Sequence, residues 1–166
     1  ISHDGYEKLY RIAEKTHSDI VTSPVIRFKR YTLFDGKFYQ NSLKKFDENV
    51  YSTTFQENPE LIWDLFITNK LYRLDFLNKN NIRNNVGNNA YCDDGPLSLR
   101  AYLLSEDISI STDIFYYWRY REIGNPSITQ KITDTKTFND RMQAIVLSLN
   151  VVENNKLNDS MMRERS

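Results

Sequence analysis

One architectural pattern occurs twice and constrains this chain more than any other feature: two extended, aromatic-rich segments, then a capped amphipathic helix. The first copy occupies residues 25–55 and leads to a helix start at Asn58-Pro59; the second occupies residues 97–120 and leads to a helix start near Thr137. The copies share no residue-level motif, so the repetition is one of architecture. Eleven Tyr and nine Phe against five Gly and four Pro suit strands, because aromatic rings pack across a pleated surface.

The elements follow from local spacing. Tyr6, Leu9, Tyr10 and Ala13 fall at i, i+3, i+4 and i+7, which predicts an amphipathic helix over residues 4–17 with Asp4 as its cap. Strands over 25–33 and 37–40 flank Asp35-Gly36, a dipeptide that accepts the positive φ of a two-residue hairpin turn. A third strand over 50–55 completes a meander. Asn58-Pro59-Glu60 then supplies a cap, a Pro at the first helical position and a carboxylate at the positive helix end. Ile62, Leu65 and Phe66 are the expected buried face, and Tyr72, Leu74 and Phe76 alternate as a short strand. Seven Asn among residues 78–89 mark a loop. Beyond it Leu97, Leu99, Ala101 and Leu103 alternate with polar positions as a strand, and residues 108–120 form a longer one, bulged near Asp113. Thr137 with Asp140 opens the last helix in the manner of a capping box, with Phe138, Met142, Ile145, Val146 and Leu149 on its inner face.

Strands outnumber helices and hairpins dominate, so the expected fold is α+β, an antiparallel sheet built from two hairpin/helix units with helices packed on one face and an added N-terminal helix. With 166 residues the expectation is one domain, 1–166. It divides into an N-terminal helix at 1–20, a first unit at 25–77, an Asn-rich loop at 78–96, a second unit at 97–150 and a polar tail at 155–166.

Charge and cysteine content limit the function classes. Basic and acidic side chains balance at 22 each, against a dedicated nucleic-acid binder, whose affinity rests on neutralising phosphates. The lone Cys92 allows no internal disulfide framework. No run approaches the 18 or so apolar residues that span a membrane. A start at Ile1 in place of Met is what removal of a leader would leave, which tips the expected location toward the periplasm or the exterior over the cytoplasm.

No catalytic constellation is legible. His3 and His17 sit at the two ends of the first helix, and no nucleophile elbow, zinc-helix, P-loop or dinucleotide motif occurs. Cys92-Asp93-Asp94-Gly95 reads as a turn entering the following strand, since two carboxylates would raise the thiol pKa and no EF-hand spacing follows. No catalytic residue, cofactor-binding residue or metal ligand is assigned, and no cofactor is expected. Asp47/Glu48 and Glu106/Asp107 are the carboxylate pairs that could meet only in space.

The most suggestive surface is basic and aromatic. Alternation puts Arg27, Lys29 and Tyr31 on one face of their strand, while Tyr117, Arg119 and Arg121 face away from a core-directed Trp118. Tyr and Arg are common interface anchors, and these six residues are the expected partner-binding set. The hairpin dipeptide Asp35-Gly36, the Asn58-Pro59 helix start and the tyrosine-rich strands make the chain similar in character to small bacterial immunity proteins and secreted lipoproteins. The expected function is therefore non-enzymatic protein binding, as an immunity or inhibitor protein that blocks a toxin or effector. Two alternatives stand beside it: a single-stranded nucleic-acid module using the same strands, and a carboxylate-based hydrolase without a sequence signature.

Overall fold

The computed structural model describes residues 1–29, 32–33, 43, 46–84, 94–121 and 135–155. Helices α1 (Gly5–Thr16), α2 (Leu74–Lys79), α3 (Asp94–Leu104) and α4 (Thr135–Asn154) accompany seven strands: β1 (Ile20–Thr22), β2 (Val25–Lys29), β3 (Thr32–Leu33), β4 (Val50–Thr53), β5 (Lys70–Tyr72), β6 (Ile108–Ile110) and β7 (Tyr116–Tyr120). The class is α+β, as expected. The sheets, however, are mixed: β4-β6-β1-β5 in one and β3-β2-β7 in the other.

Two parallel pairings hold the molecule together. Strand β1 runs beside β6 with Ile20 opposite Ile108, and β2 runs beside β7 with Arg27 opposite Trp118. Strand β2 follows β1 after Ser23-Pro24, and β7 follows β6 after the stretch from Ser111 to Phe115. One parallel ribbon is thus interrupted once on each strand and handed to a second sheet. Pro24 has no N–H for a ladder, which suits it to that break. The expected single strand over 108–120 is therefore two strands in two sheets. The other pairings, β1 with β5, β4 with β6 and β2 with β3, are antiparallel.

Several expected elements differ. The expected strand over 25–33 folds back on itself, since Lys29 pairs with Thr32; Asp35-Gly36 lies outside the described residues. Strand β4 joins β6 and not a meander, and a register shift between Val50 and Thr53 is accommodated by Ser52 at φ 52°. The Asn58-Pro59 start opens a five-residue 3-10 helix, Pro59–Trp63, that buries Leu61 and leaves Trp63 71% exposed. Tyr72 ends β5, and Leu74 and Phe76 belong to α2. The alternating segment after Gly95 is α3, which buries Ser98, Leu99, Ala101 and Tyr102, an i, i+1, i+3, i+4 set.

The main core gathers Ile20, Phe55, Leu61, Phe76, Leu99, Tyr102, Ile108 and Ile110 between the first sheet and α2 and α3. A smaller core under α1 joins Leu9, Val21 and Phe115. The buried side of α1 is Leu9 with Ile12 and Ala13, so Tyr6 and Tyr10 stay exposed, and Asp4 makes no cap bond but pairs with Lys8 at 3.2 Å. On α4 the expected inner residues Phe138, Met142, Ile145, Val146 and Leu149 are all exposed, and Ala144 is buried in their place. No helix among the described residues is long and apolar enough to cross a membrane.

Candidate functional site

In sheets with parallel strands, ligands bind in the crevice beyond the strands' carboxyl ends. For β1 and β6 that end is marked by Thr22 and Ile110. A buried polar cluster fills it. Asp64, just past the 3-10 helix, accepts through Oδ2 from Thr22 Oγ1 at 2.7 Å, Tyr102 OH at 2.9 Å and Lys70 Nζ at 3.0 Å, and through Oδ1 from Asn69 Nδ2 at 2.9 Å. Lys70 Nζ also donates to Asn69 Oδ1 at 2.9 Å and to the Phe66 carbonyl. The ammonium lies 5.3 Å from the Tyr102 ring centroid. The Lys70 and Asp64 side chains are 0% and 3% exposed.

Burial and charge act in opposition here. Desolvation holds the Lys70 ammonium below its ordinary pKa, against the pull of Asp64 and then Asp94. Burial also pushes the Tyr102 and Tyr72 hydroxyls up, assisted by Asp64 at both and by Asp94 at Tyr72, so both stay protonated. Four donors converge on Asp64, three of them on Oδ2, and every N–H of Lys70 is engaged, so the pair is built to hold structure and not to act as base or nucleophile. The cluster is a lock that ties β1, β5, the 3-10 helix and α3 together.

The reactive possibility sits beside the lock. Asp94 opens α3, only partly buried, and its charge reaches Lys70 and Tyr72. A Cβ on Gly95 would lie 3.9 Å from Leu65 Cδ1, so the start of α3 packs on the segment that carries Asp64. Phe66 in that segment meets Trp118 with ring centroids 6.1 Å apart. Arg27 lies 5.0 Å from the Trp118 ring and 4.3 Å from the Tyr120 ring.

At the opposite end of the parallel pair Glu106 is exposed and Asp107 partly exposed. Asp107 accepts from Ser18 Oγ, and Asp19 holds Arg73, Ser105 Oγ and the Glu106 N–H. The expected Glu106/Asp107 pair lies there, with Asp107 tied to the strand it precedes. Asp47 and Glu48 are exposed ahead of β4. Among the described residues no group of three or more His, Cys, Asp or Glu is placed to hold a metal ion.

Of the expected partner-binding residues, register puts Arg27 with Trp118 on one face of the second sheet and Tyr117 and Arg119 on the other with Ile26 and Phe28, while Lys29 pairs with Tyr120 along the backbone. Arg121 follows β7 and is exposed; Tyr31 lies outside the described residues. The face assignment around Trp118 holds, with Trp118 partly buried and Tyr117 and Arg119 exposed. Sequence reasoning passed over Asp64 and Lys70, although Asp64 is the one charge in the apolar run 61–67.

No family model matches the sequence, and no curated protein matches it. Solved structures do. Residues 1–349 of TarS from S. aureus superpose with a TM-score of 0.68 at 19% identity, covering 97% of this chain and 40% of that one. The same protein in complex with UDP-GlcNAc gives 0.69 at 19%, covering 97% and 42%, and in complex with UDP 0.61 at 18%, covering 94% and 38%. The chain therefore spans about two fifths of the length of the structures it matches. This likeness overturns the expectation of a non-enzymatic immunity or inhibitor protein: the fold recurs in a protein solved with a nucleotide sugar. The expectation had rested on the lack of a linear motif, and a fold built on parallel ribbons leaves no such motif to read. At this identity the likeness is one of fold, and the fold is that of part of a UDP-GlcNAc-binding protein.

Proposed function

We propose that this chain is part of an enzyme that transfers a glycosyl group from a UDP-sugar to a hydroxyl. The observation that carries the reading is the superposition of 97% of the chain on a structure holding UDP-GlcNAc. A companion structure holds UDP, and the two ligands differ by the sugar a transfer would remove. In such a transfer the bond between the sugar's anomeric carbon and the phosphate oxygen breaks. The acceptor oxygen bonds to that carbon, and its proton must pass to a base. We assign that role to Asp94, a partly exposed carboxylate at the start of α3. A small molecule thereby replaces the toxin or effector as the expected partner.

Release of UDP from UDP-GlcNAc, measured with a panel of hydroxyl acceptors, tests this. Asp94→Asn should lower turnover by about 100-fold or more while the KM for UDP-GlcNAc changes little. If neither UDP release nor UDP-GlcNAc binding is detected for the folded protein, the reading fails. Turnover unchanged in Asp94→Asn would move the base elsewhere.

A further inference from the structure

Helix α4 is amphipathic, and its apolar stripe points away from the fold. Its inner side is small: Thr137 and Ala144 are buried, Val151 and Val152 rest against the main core, and α3 is its main neighbour. On the solvent side a polar strip of Lys136, Asn139, Gln143 and Asn150 needs no cover. Beside that strip Phe138, Met142, Ile145, Val146 and Leu149 are 45–62% exposed. They leave roughly 500 Å² of apolar surface open in one patch, at the upper end of what a typical monomer shows. Two such patches pressed together would remove about 1,000 Å² from water, the area at which a specific interface begins.

The spacing identifies the cover. Phe138, Met142, Ile145 and Leu149 are separated by four, three and four residues, the a/d rhythm of a seam between two helices. That rhythm reads the same from either end. Laid antiparallel against a second copy, Phe138 meets Leu149 and Met142 meets Ile145, and a two-fold axis repeats both contacts. No charged residue interrupts the seam, and Lys136 and Asp140 beside it pair with each other at 2.7 Å. An antiparallel pair also sets the positive end of each helix beside the negative end of the other.

We infer that α4 is a homodimerisation helix, whose outward stripe docks antiparallel on the same stripe of a second copy of this chain. The inference is independent of the transferase reading, since no residue of the seam belongs to the cluster around Asp64 or to the start of α3.

Sedimentation equilibrium of the full chain tests this. At about 100 μM, above the micromolar end of affinities for interfaces of ordinary size, the particle should weigh two chains. Ile145→Glu puts a charge in the middle of the seam and should return the mass to that of one chain. Ile145 lies outside both cores, so helix content by circular dichroism should not change. Register is read separately by oxidative cross-linking in a Cys92→Ser background. Phe138→Cys chains mixed with Leu149→Cys chains should link to each other, and Phe138→Cys chains alone should not link. A one-chain mass at that concentration overturns the inference, as does a two-chain mass that survives Ile145→Glu. Phe138→Cys chains that link to themselves would mark a parallel pair and overturn it too. Single chains that bind phospholipid vesicles, and lose that binding in Ile145→Glu, would give the stripe to a membrane surface and overturn it as well.

Discussion

At the residue scale, single atoms decide several outcomes. A Cβ on Gly5 would fall 2.5 Å from Phe115 Cδ2 and 2.4 Å from Ser2 Oγ, and Phe115 is a fully buried ring of the smaller core. Alanine normally favours a helix over glycine by about 1 kcal/mol, yet here the clash should win. Gly5→Ala is expected to destabilise by about 1–3 kcal/mol in urea unfolding. Tyr102 and Tyr72 form a second comparison. Tyr102→Phe removes a donor from the buried Asp64 carboxylate and should cost about 1–3 kcal/mol, whereas Tyr72→Phe removes a hydroxyl that meets only the neutral Ser98 side chain and should cost less. Equal costs would show that the Tyr72 hydroxyl is held as firmly as that of Tyr102. These residues were poorly legible in the sequence for a physical reason. Thr22, Asp64, Lys70 and Tyr102 are common residue types drawn from three separate stretches, and only folding makes them one cluster. The visible hint was Asp64 amid apolar neighbours, a charge that must find partners if its run is buried.

Elements were legible where one periodicity had no competitor. Helices α1 and α4 emerged as elements from their spacing, although Asp4 makes no cap bond and the residues expected inside α4 are exposed, and β2 and β7 emerged from their alternation. Helix α3 was misread because Leu97, Leu99, Ala101 and Leu103 also satisfy a period of two; burial on more than one side of the helix removed the polar face that would have exposed the error. The Asn58-Pro59 start was read correctly, but the element it opens stops after five residues, and Asp64 turns inward to meet Thr22 and Tyr102. Just before it, Glu57 accepts from Thr53 Oγ1, Thr54 N and Thr54 Oγ1 and so sits below its ordinary pKa. A lowered carboxylate pKa means that its contribution is present above about pH 4.5 and is lost as the pH falls through the folded value. The Thr54 amide should therefore exchange faster in Glu57→Gln at neutral pH, and the wild-type protection should fade on acidification. Exchange identical in both proteins would remove the turn's dependence on this side chain.

For the whole molecule, the parallel pairings govern assembly as well as shape. Ile20 meets Ile108 and Val25 meets Tyr116, each about ninety residues further along. A nascent chain must therefore carry β1 and β2 with open edges until β6 and β7 have left the ribosome, which local helices cannot remedy. Loop-closure entropy has to be overcome before either ribbon stabilises anything, so refolding from urea should be slow, in the millisecond-to-second range, and not that of a helical bundle. Chains ending before residue 108 should show no cooperative unfolding, since they hold one strand of each ribbon and neither partner. A sharp, reversible transition in such a truncated chain would mean that the antiparallel strands suffice alone. The waiting interval is also when exposed edges invite pairing with another chain, so yield of folded protein should depend on synthesis rate and on chaperone supply more than on final stability.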